Sequence, residues 1–141
     1  MANINKIQFF KKKIITHPKG NIMHYIKKND KNYLKFGEVY FTWIKKNALK
    51  AWKFHKKMHM NLTVPVGSVK FTFFDDKFKK KFIFNLSEKN FGTLYVPPKI
   101  WFSFKNTNQE KDSLVVNFSN IIHDKSESIN KDFKEMQKQL K

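Results

Sequence analysis

From Phe36 onward, apolar and polar positions trade places in short runs. "GEVYFTWI", "HMNLTVPVG", "SVKFTFFDD", "KKFIFNLS", "TLYVPP", "IWFSFK" and "SLVVNFS" are rich in Val, Phe, Tyr, Trp, Ile and Thr. Runs of this length and composition predict half-buried strands. No stretch between them has room for a crossover helix, so neighbouring strands must pair antiparallel. The outcome is a sandwich, a jelly roll or a barrel. Gly67 falls where one strand must bend into the next, and Asp75-Asp76 ahead of a lysine-rich stretch reads as a hairpin turn.

The last stretch, "DKSESINKDFKEMQKQLK", changes period. Phe133, Met136 and Leu140 recur at helical spacing among polar residues. Residues 124–141 are thus expected to form a polar, helical tail, either docked or frayed. No internal repeat or low-complexity linker interrupts the chain, and its 141 residues suit a single domain spanning 1–141.

Composition narrows the possibilities. Aromatics are abundant, with 16 Phe, 4 Tyr and 3 Trp, which argues for a packed core despite the charge. Cysteine is absent, which removes disulfides and thiolate metal sites and leaves a cytoplasmic location as the expectation. The amino-terminal residues show no apolar leader, and no run is long enough to span a membrane, so no membrane insertion is expected. The formal net charge is +18, yet all 29 basic residues are Lys and none is Arg. Arg is the side chain suited to forked phosphate and guanine contacts. Together with 14 Asn, this pattern points to a bias toward A-rich codons more than to a nucleic-acid surface, and no nucleic-acid partner is expected. The positive charge still suits an anionic small molecule.

Metal-binding jelly rolls carry a His-x-His pair, a glutamate and a later histidine. Laid on this sequence with Gly67, Pro97 and Asn106 as anchors, those positions fall on Lys53, His55, Met60 and Phe102. One donor in four is too few for a divalent ion, so a metal-free site without cofactor is expected. His59 follows His55 by a spacing that would pair metal ligands on a helix, but in a straight strand the two stand ~13 Å apart.

Three segments, "THPKGNIMHYIKK", "VPVGSVKFTFFDD" and "LSEKNFGTLYVPPKIWFSF", occur in the order found in one group of cupins. The chain resembles the dTDP-4-dehydrorhamnose 3,5-epimerases and their relatives, the dTDP-sugar 3,4-ketoisomerases, from about Thr16 to Asp124. The resemblance implies an all-β antiparallel jelly-roll (cupin) barrel with a short C-terminal helix. It also implies a homodimer acting on a nucleotide-diphosphate sugar. The implied reaction removes a proton beside a sugar ketone and returns it on the other face or at another carbon, in the synthesis of a surface polysaccharide such as a capsule. The alternative is a cupin that binds a sugar nucleotide or a partner enzyme without catalysis.

The resemblance also implies roles for particular residues. Lys19 and His24 lie in the segment that holds the nucleotide, and Lys50 stands where the family has an arginine. Lys53 and His55 occupy the two histidine positions of the ketoisomerases. His55 is therefore the candidate base, since imidazole titrates near neutral pH. Lys53 or Lys57 would stabilise the enolate, because strand alternation turns Lys53, His55 and Lys57 to one side. Asn61 lies next to Met60, which replaces a family lysine. Tyr95 and Trp101 flank the Pro97-Pro98 bend, where the Trp either stacks on a sugar or base or packs in the core. The family's acid, a tyrosine, has no counterpart in "SLVVNFSNIIHD", where Asn117 and His123 are the substitutes on offer. For the carboxylate that orients the histidine, the sequence offers Asp124 and Asp132.

Overall fold

The computed structural model describes residues 3–140. After a 3-10 turn at Asn3–Lys6, the strands are β1 (Gln8–Lys11), β2 (Ile14–Ile15), β3 (Ile22–Met23), β4 (Glu38–Ile44), β5 (Leu49–His55) and β6 (Met60–Val66). They continue as β7 (Ser68–Asp75), β8 (Lys81–Ser87), β9 (Gly92–Val96), β10 (Ile100–Asn106), β11 (Ser113–Ser119) and β12 (Ser128–Asn130), and helix α1 (Phe133–Gln139) closes the order. One five-stranded sheet runs β1-β9-β6-β11-β4, the other β12-β5-β10-β7-β8. Every pairing is antiparallel.

The all-β antiparallel architecture expected from the pattern, and the cupin-like fold that the resemblance implies, are present, with one correction. The two sheets remain separate in their hydrogen bonding, so the body is a sandwich and not a closed barrel. Strands β1, β5 and β12 and the small β2-β3 ribbon extend the runs that alternation marks. Their polar residues hide them: β5 reads "LKAWKFH" and β12 only "SIN".

The main core fills the space between the sheets. Inward side chains of β6 (Met60, Leu62, Val64) meet those of β7 and β10 (Val69, Phe71, Phe73, Phe102). Burying one such side chain is worth about 1.5–3 kcal/mol. Gly67, with φ +87°, makes the bend between β6 and β7 in a conformation L-residues rarely adopt. The Asp75 carboxylate closes the β7-β8 turn by accepting from the Lys79 and Lys80 backbone N–H groups at 2.7 and 3.0 Å.

A second, smaller core lies on the outer face of the β5-β10-β7 sheet. There Trp52, Phe74 and Trp101 receive Met136 of α1, which is fully buried. The tail is therefore docked. Asp132 caps its helix, accepting from Glu135 N–H at 2.8 Å while the Glu135 carboxylate accepts from Asp132 N–H. This reciprocal pair satisfies donors that every helix start leaves open. The Lys131 ammonium lies 4.9 Å over the Trp101 ring, and Lys131 and Trp52 exchange both backbone hydrogen bonds. The tail is thus joined to β5, the strand that carries Lys53 and His55.

Candidate active site

A cavity of about 460 Å³ opens between the two sheets, lined by Tyr40, Lys50, Lys53, Met60, Phe102 and Asn117 among others. Its shape depends on one irregularity. The β10-β5 register pairs Phe102 with Lys53 but Ser103 with Ala51, so Trp52 is an extra residue. An inserted residue reverses the alternation of faces beyond it. Lys53 and Lys50 therefore stand on the cavity side, across from Phe102 and Phe104, although their odd spacing would separate them in a regular strand.

His55 ends β5 on the same face as Lys53. It is 2% exposed and stacks on Phe102 with ring centroids 5.5 Å apart. Its Nδ1 makes a short hydrogen bond to Oε1 of Glu127, while Nε2 is buried without a partner among the described residues. Glu127 arrives on the tail, one residue before β12, which pairs Ser128 with His55. Its second oxygen, Oε2, accepts from the backbone N–H groups of Lys57 (3.0 Å) and Met58 (3.2 Å).

This arrangement decides the tautomer. The carboxylate accepts only, so Nδ1 carries the proton and Nε2 keeps its lone pair. Burial lowers the His55 pKa below its ordinary value, the Glu127 carboxylate working against that. For Glu127 itself, burial pushes upward, but the Lys57 N–H and the His55 ring outweigh it and hold the carboxyl low. The pair is thus a neutral imidazole beside an ionised carboxylate, a base aligned by its partner.

On the facing sheet, Asn117 donates from Nδ2 to the Tyr40 hydroxyl at 2.9 Å, their strands being paired residue for residue. Burial raises the Tyr40 pKa, so the phenol stays protonated and remains a proton donor. The cavity therefore has cationic amines on one wall and a neutral acid on the other.

The remaining candidates lie elsewhere. Lys57 is exposed in the turn after β5, because the strand ends at His55, and only its backbone takes part. Asn61 faces the opposite side of β6, where it exchanges hydrogen bonds with Asn32. Tyr95 is bonded through its hydroxyl to His59 Nδ1 at 2.8 Å, away from the cavity. Trp101 belongs to the outer core beneath α1. Lys19 and His24 are exposed on and beside the β2-β3 ribbon and line no part of the cavity. His123 is exposed, and Asp124 and Asp132 are caps rather than partners of His55.

Two functional groups escape the sequence reading. Glu127 becomes visible only through the β12-β5 register. Tyr40 belongs to a strand that resemblance does not mark as bearing the acid. The D-x-x-E spacing from Asp132 to Glu135 was the readable signal that Asp132 is a cap. Among the described residues, no three His, Asp or Glu side chains stand together as a metal-binding group, and no helix is long and apolar enough to cross a membrane.

Fold and cavity together define a cupin-like β-sandwich with a cavity between its sheets and a buried His55–Glu127 pair at the end of the strand that lines it. The chain belongs to the family described as FdtA: WxcM-like, C-terminal, whose model matches residues 5–140. Among solved structures, it is similar to a dTDP sugar isomerase from Desulfovibrio desulfuricans G20, with 26% identity, a TM-score of 0.87, and 94% of this chain and 87% of that chain covered. The 3,4-ketoisomerase QdtA of Thermoanaerobacterium thermosaccharolyticum, solved with TDP-4-keto-6-deoxyglucose, shares the fold at 21% identity and a TM-score of 0.74, with 95% and 91% coverage. The dTDP-6-deoxy-D-glucose-3,5-epimerase RmlC of Legionella pneumophila Philadelphia 1 shares it at 12% identity and a TM-score of 0.80, with 99% and 78% coverage. No curated protein sequence matches this chain.

Proposed function

We propose that this protein is an isomerase or epimerase of nucleotide-linked keto-deoxy sugars, acting by proton abstraction beside the ketone. The observation that carries the reading is the His55–Glu127 pair, with its unpartnered Nε2, at the end of the strand that lines the cavity. Membership of the family and the likeness to a dTDP sugar isomerase support the substrate class. His55 takes the α-proton, the Lys53 charge stabilises the enolate oxygen, and the Tyr40 phenol returns a proton from the facing wall. Lys50, on the same wall as Lys53, meets the diphosphate as a point charge.

The protein works as a homodimer in this reading. Val39, Phe41 and Trp43 alternate along the outer face of edge strand β4 and are 43%, 67% and 54% exposed. An apolar row on an unpaired edge suits a second copy. Lys19 and His24 then act on the nucleotide only if that copy carries them to the partner's cavity. Phe41→Lys should give a monomer by light scattering. The setting is the synthesis of a surface polysaccharide, in the cytoplasm.

The test is NMR of TDP-4-keto-6-deoxyglucose incubated with the protein in D2O. Deuterium entering a ring carbon, and lost with His55→Asn, supports enolisation by His55. A second reading, a binder without turnover, is favoured by one observation: His55 does not itself line the cavity. It predicts binding by calorimetry with no exchange at any carbon.

A further inference from the structure

We propose that Asn117 is the positioning residue of the acid: its amide holds the Tyr40 hydroxyl as a hydrogen-bond acceptor and leaves the phenol proton for the substrate. The inference rests on the reading above, that the cavity receives a keto sugar and Tyr40 returns the proton. Asn117 stands on the inward face of β11, in the middle of a row that runs Tyr40, Asn117, Leu62 across β4, β11 and β6. Leu62 and, two residues before Asn117, Val115 belong to the main core. An amide only 3% exposed at such a position must have its hydrogen bonds met within the protein. They are met in one orientation.

A backbone group sets that orientation. The Asn61 N–H donates to Asn117 Oδ1 at 3.2 Å. This happens where the Tyr25 hydroxyl enters the ladder between β6 and β11, donating to the Asn61 carbonyl and accepting from the Phe118 N–H at 3.0 Å. A backbone N–H only donates, so the amide oxygen must face it and the amide nitrogen must turn away. Nδ2 then donates to the Tyr40 oxygen at 2.9 Å and to the Met58 thioether at 3.6 Å. The direction of the Tyr40 bond follows: its oxygen accepts, and its own proton points elsewhere. Among the described residues the one acceptor for that proton is Met58 Sδ at 3.7 Å, and a thioether accepts weakly. The phenol is held by its oxygen while its proton stays available to the cavity that Tyr40 lines.

The same bond serves the moment after the proton leaves. When the enolate carbon takes the phenol proton, the C=O bond re-forms and the O–H electron pair stays on Tyr40 as a phenolate. The Asn117 N–H bond to that oxygen becomes charge-assisted and strengthens. The His55 imidazolium and the phenolate then return to neutral by proton exchange with water. Burial raises the Tyr40 pKa, the Asn117 bond works against it, and Glu38 on the same strand and Glu127 on the tail add to the rise. Lys50 and Lys53 stand on the opposite wall.

The test compares Asn117→Asp, Tyr40→Phe and the double variant in deuterium exchange of TDP-4-keto-6-deoxyglucose, with folding checked by circular dichroism. A carboxylate still accepts from the Asn61 N–H but cannot donate to Tyr40, and it draws the phenol proton to itself. Asn117→Asp should lower exchange by about 10²-fold, as Tyr40→Phe does, with binding of TDP unchanged in calorimetry. The double variant should be no slower than Tyr40→Phe alone, since a residue that acts through Tyr40 has nothing to position once the phenol is gone. Losses that multiply to about 10⁴-fold in the double variant mark a merely structural role and overturn the inference. Undiminished exchange in Asn117→Asp overturns it too, and either result leaves the proposed function standing. A second measurement needs no turnover. With 3-fluorotyrosine in place of Tyr40, the phenol followed by 19F NMR should titrate at higher pH in Asn117→Ala than beside Asn117; an unchanged titration overturns the inference. A keto sugar that shows no exchange with the wild-type protein overturns the proposed function, and the inference falls with it.

Discussion

Replacing Glu127 by alanine removes one side chain that serves three donors at once. The His55 ring, Lys57 N–H and Met58 N–H all lose their acceptor, and both His55 and Met58 are almost wholly buried. Each orphaned buried donor costs about 1–3 kcal/mol. The Lys57 N–H lies beside an exposed turn, where water can replace the lost bond, so the costs do not simply add. With His55 and Met58 as the two buried donors left without an acceptor, a loss of about 2–6 kcal/mol is expected. Against the roughly 5–15 kcal/mol that holds a typical domain together, that is severe. Glu127→Gln keeps an acceptor of the same shape and should cost only about 1 kcal/mol, the difference between a charged and a neutral hydrogen bond.

The pH dependence gives this reasoning a sharper edge. Burial holds the folded His55 pKa below its ordinary 6.5, so the unfolded chain binds the proton more readily. The stability contributed by neutral His55 is therefore complete above pH 6.5 and is lost as pH falls through and below that value. Glu127, held below its ordinary 4.5, contributes above that pH and is lost only in more acid solution. In Glu127→Gln the carboxylate no longer supports protonated His55, so the loss near the imidazole range should steepen while the acid step disappears. Urea unfolding followed by Trp fluorescence, repeated across pH, measures both. A cost below about 1 kcal/mol for Glu127→Ala, or an unchanged pH slope in Glu127→Gln, would refute the dyad as the element that fixes His55.

Three further outcomes follow from the same geometry. Met136→Ala opens a hole in the outer aromatic core and should cost about 2–5 kcal/mol by chemical denaturation; because α1 anchors the segment carrying Glu127, the His55 ring 15N shifts should move as well. Lys99 sits at φ 65° while its N–H donates to the His55 carbonyl at 2.7 Å, so Lys99→Gly should raise stability by up to about 1 kcal/mol, read as a higher melting temperature, without loss of that bond. Tyr40→Phe removes the phenol but not its ring, and should lower deuterium exchange by about 10²-fold with binding of TDP unchanged in calorimetry.

Legibility in the sequence divides along a physical line. The strand runs from Glu38 to Ser119 are visible because each buries alternate apolar residues, and burial writes itself into composition. β5 is harder to see because its cavity face carries Lys50, Lys53 and His55 in place of hydrophobes. A strand that builds a polar site sacrifices the pattern that would announce it. The bulge at Trp52 adds a second obstacle. Strict alternation separates Lys50 from Lys53, whereas one inserted residue unites them, and nothing in "KAWK" declares which residue is the extra one.

Glu127 and Tyr40 were hidden for a different reason. Each reaches the site through strand register, β12 on β5 and β4 on β11, a relation between segments 72 and 77 residues apart. Local periodicity carries no information about such pairings. Asp124 and Asp132 were offered because the resemblance implies an orienting carboxylate near the end of the chain, yet each spends its Oδ1 on a backbone N–H group of the turn it begins. A carboxylate that caps a helix start is held beside that start by its own bond and does not reach a distant imidazole. The acid left over, Glu127, is the one whose local backbone makes no claim on it. Asp124 and Glu127 share the D-x-x-E spacing of Asp132 and Glu135, so allocating caps by spacing claims Glu127 as well, and only the β12-β5 register assigns it to His55.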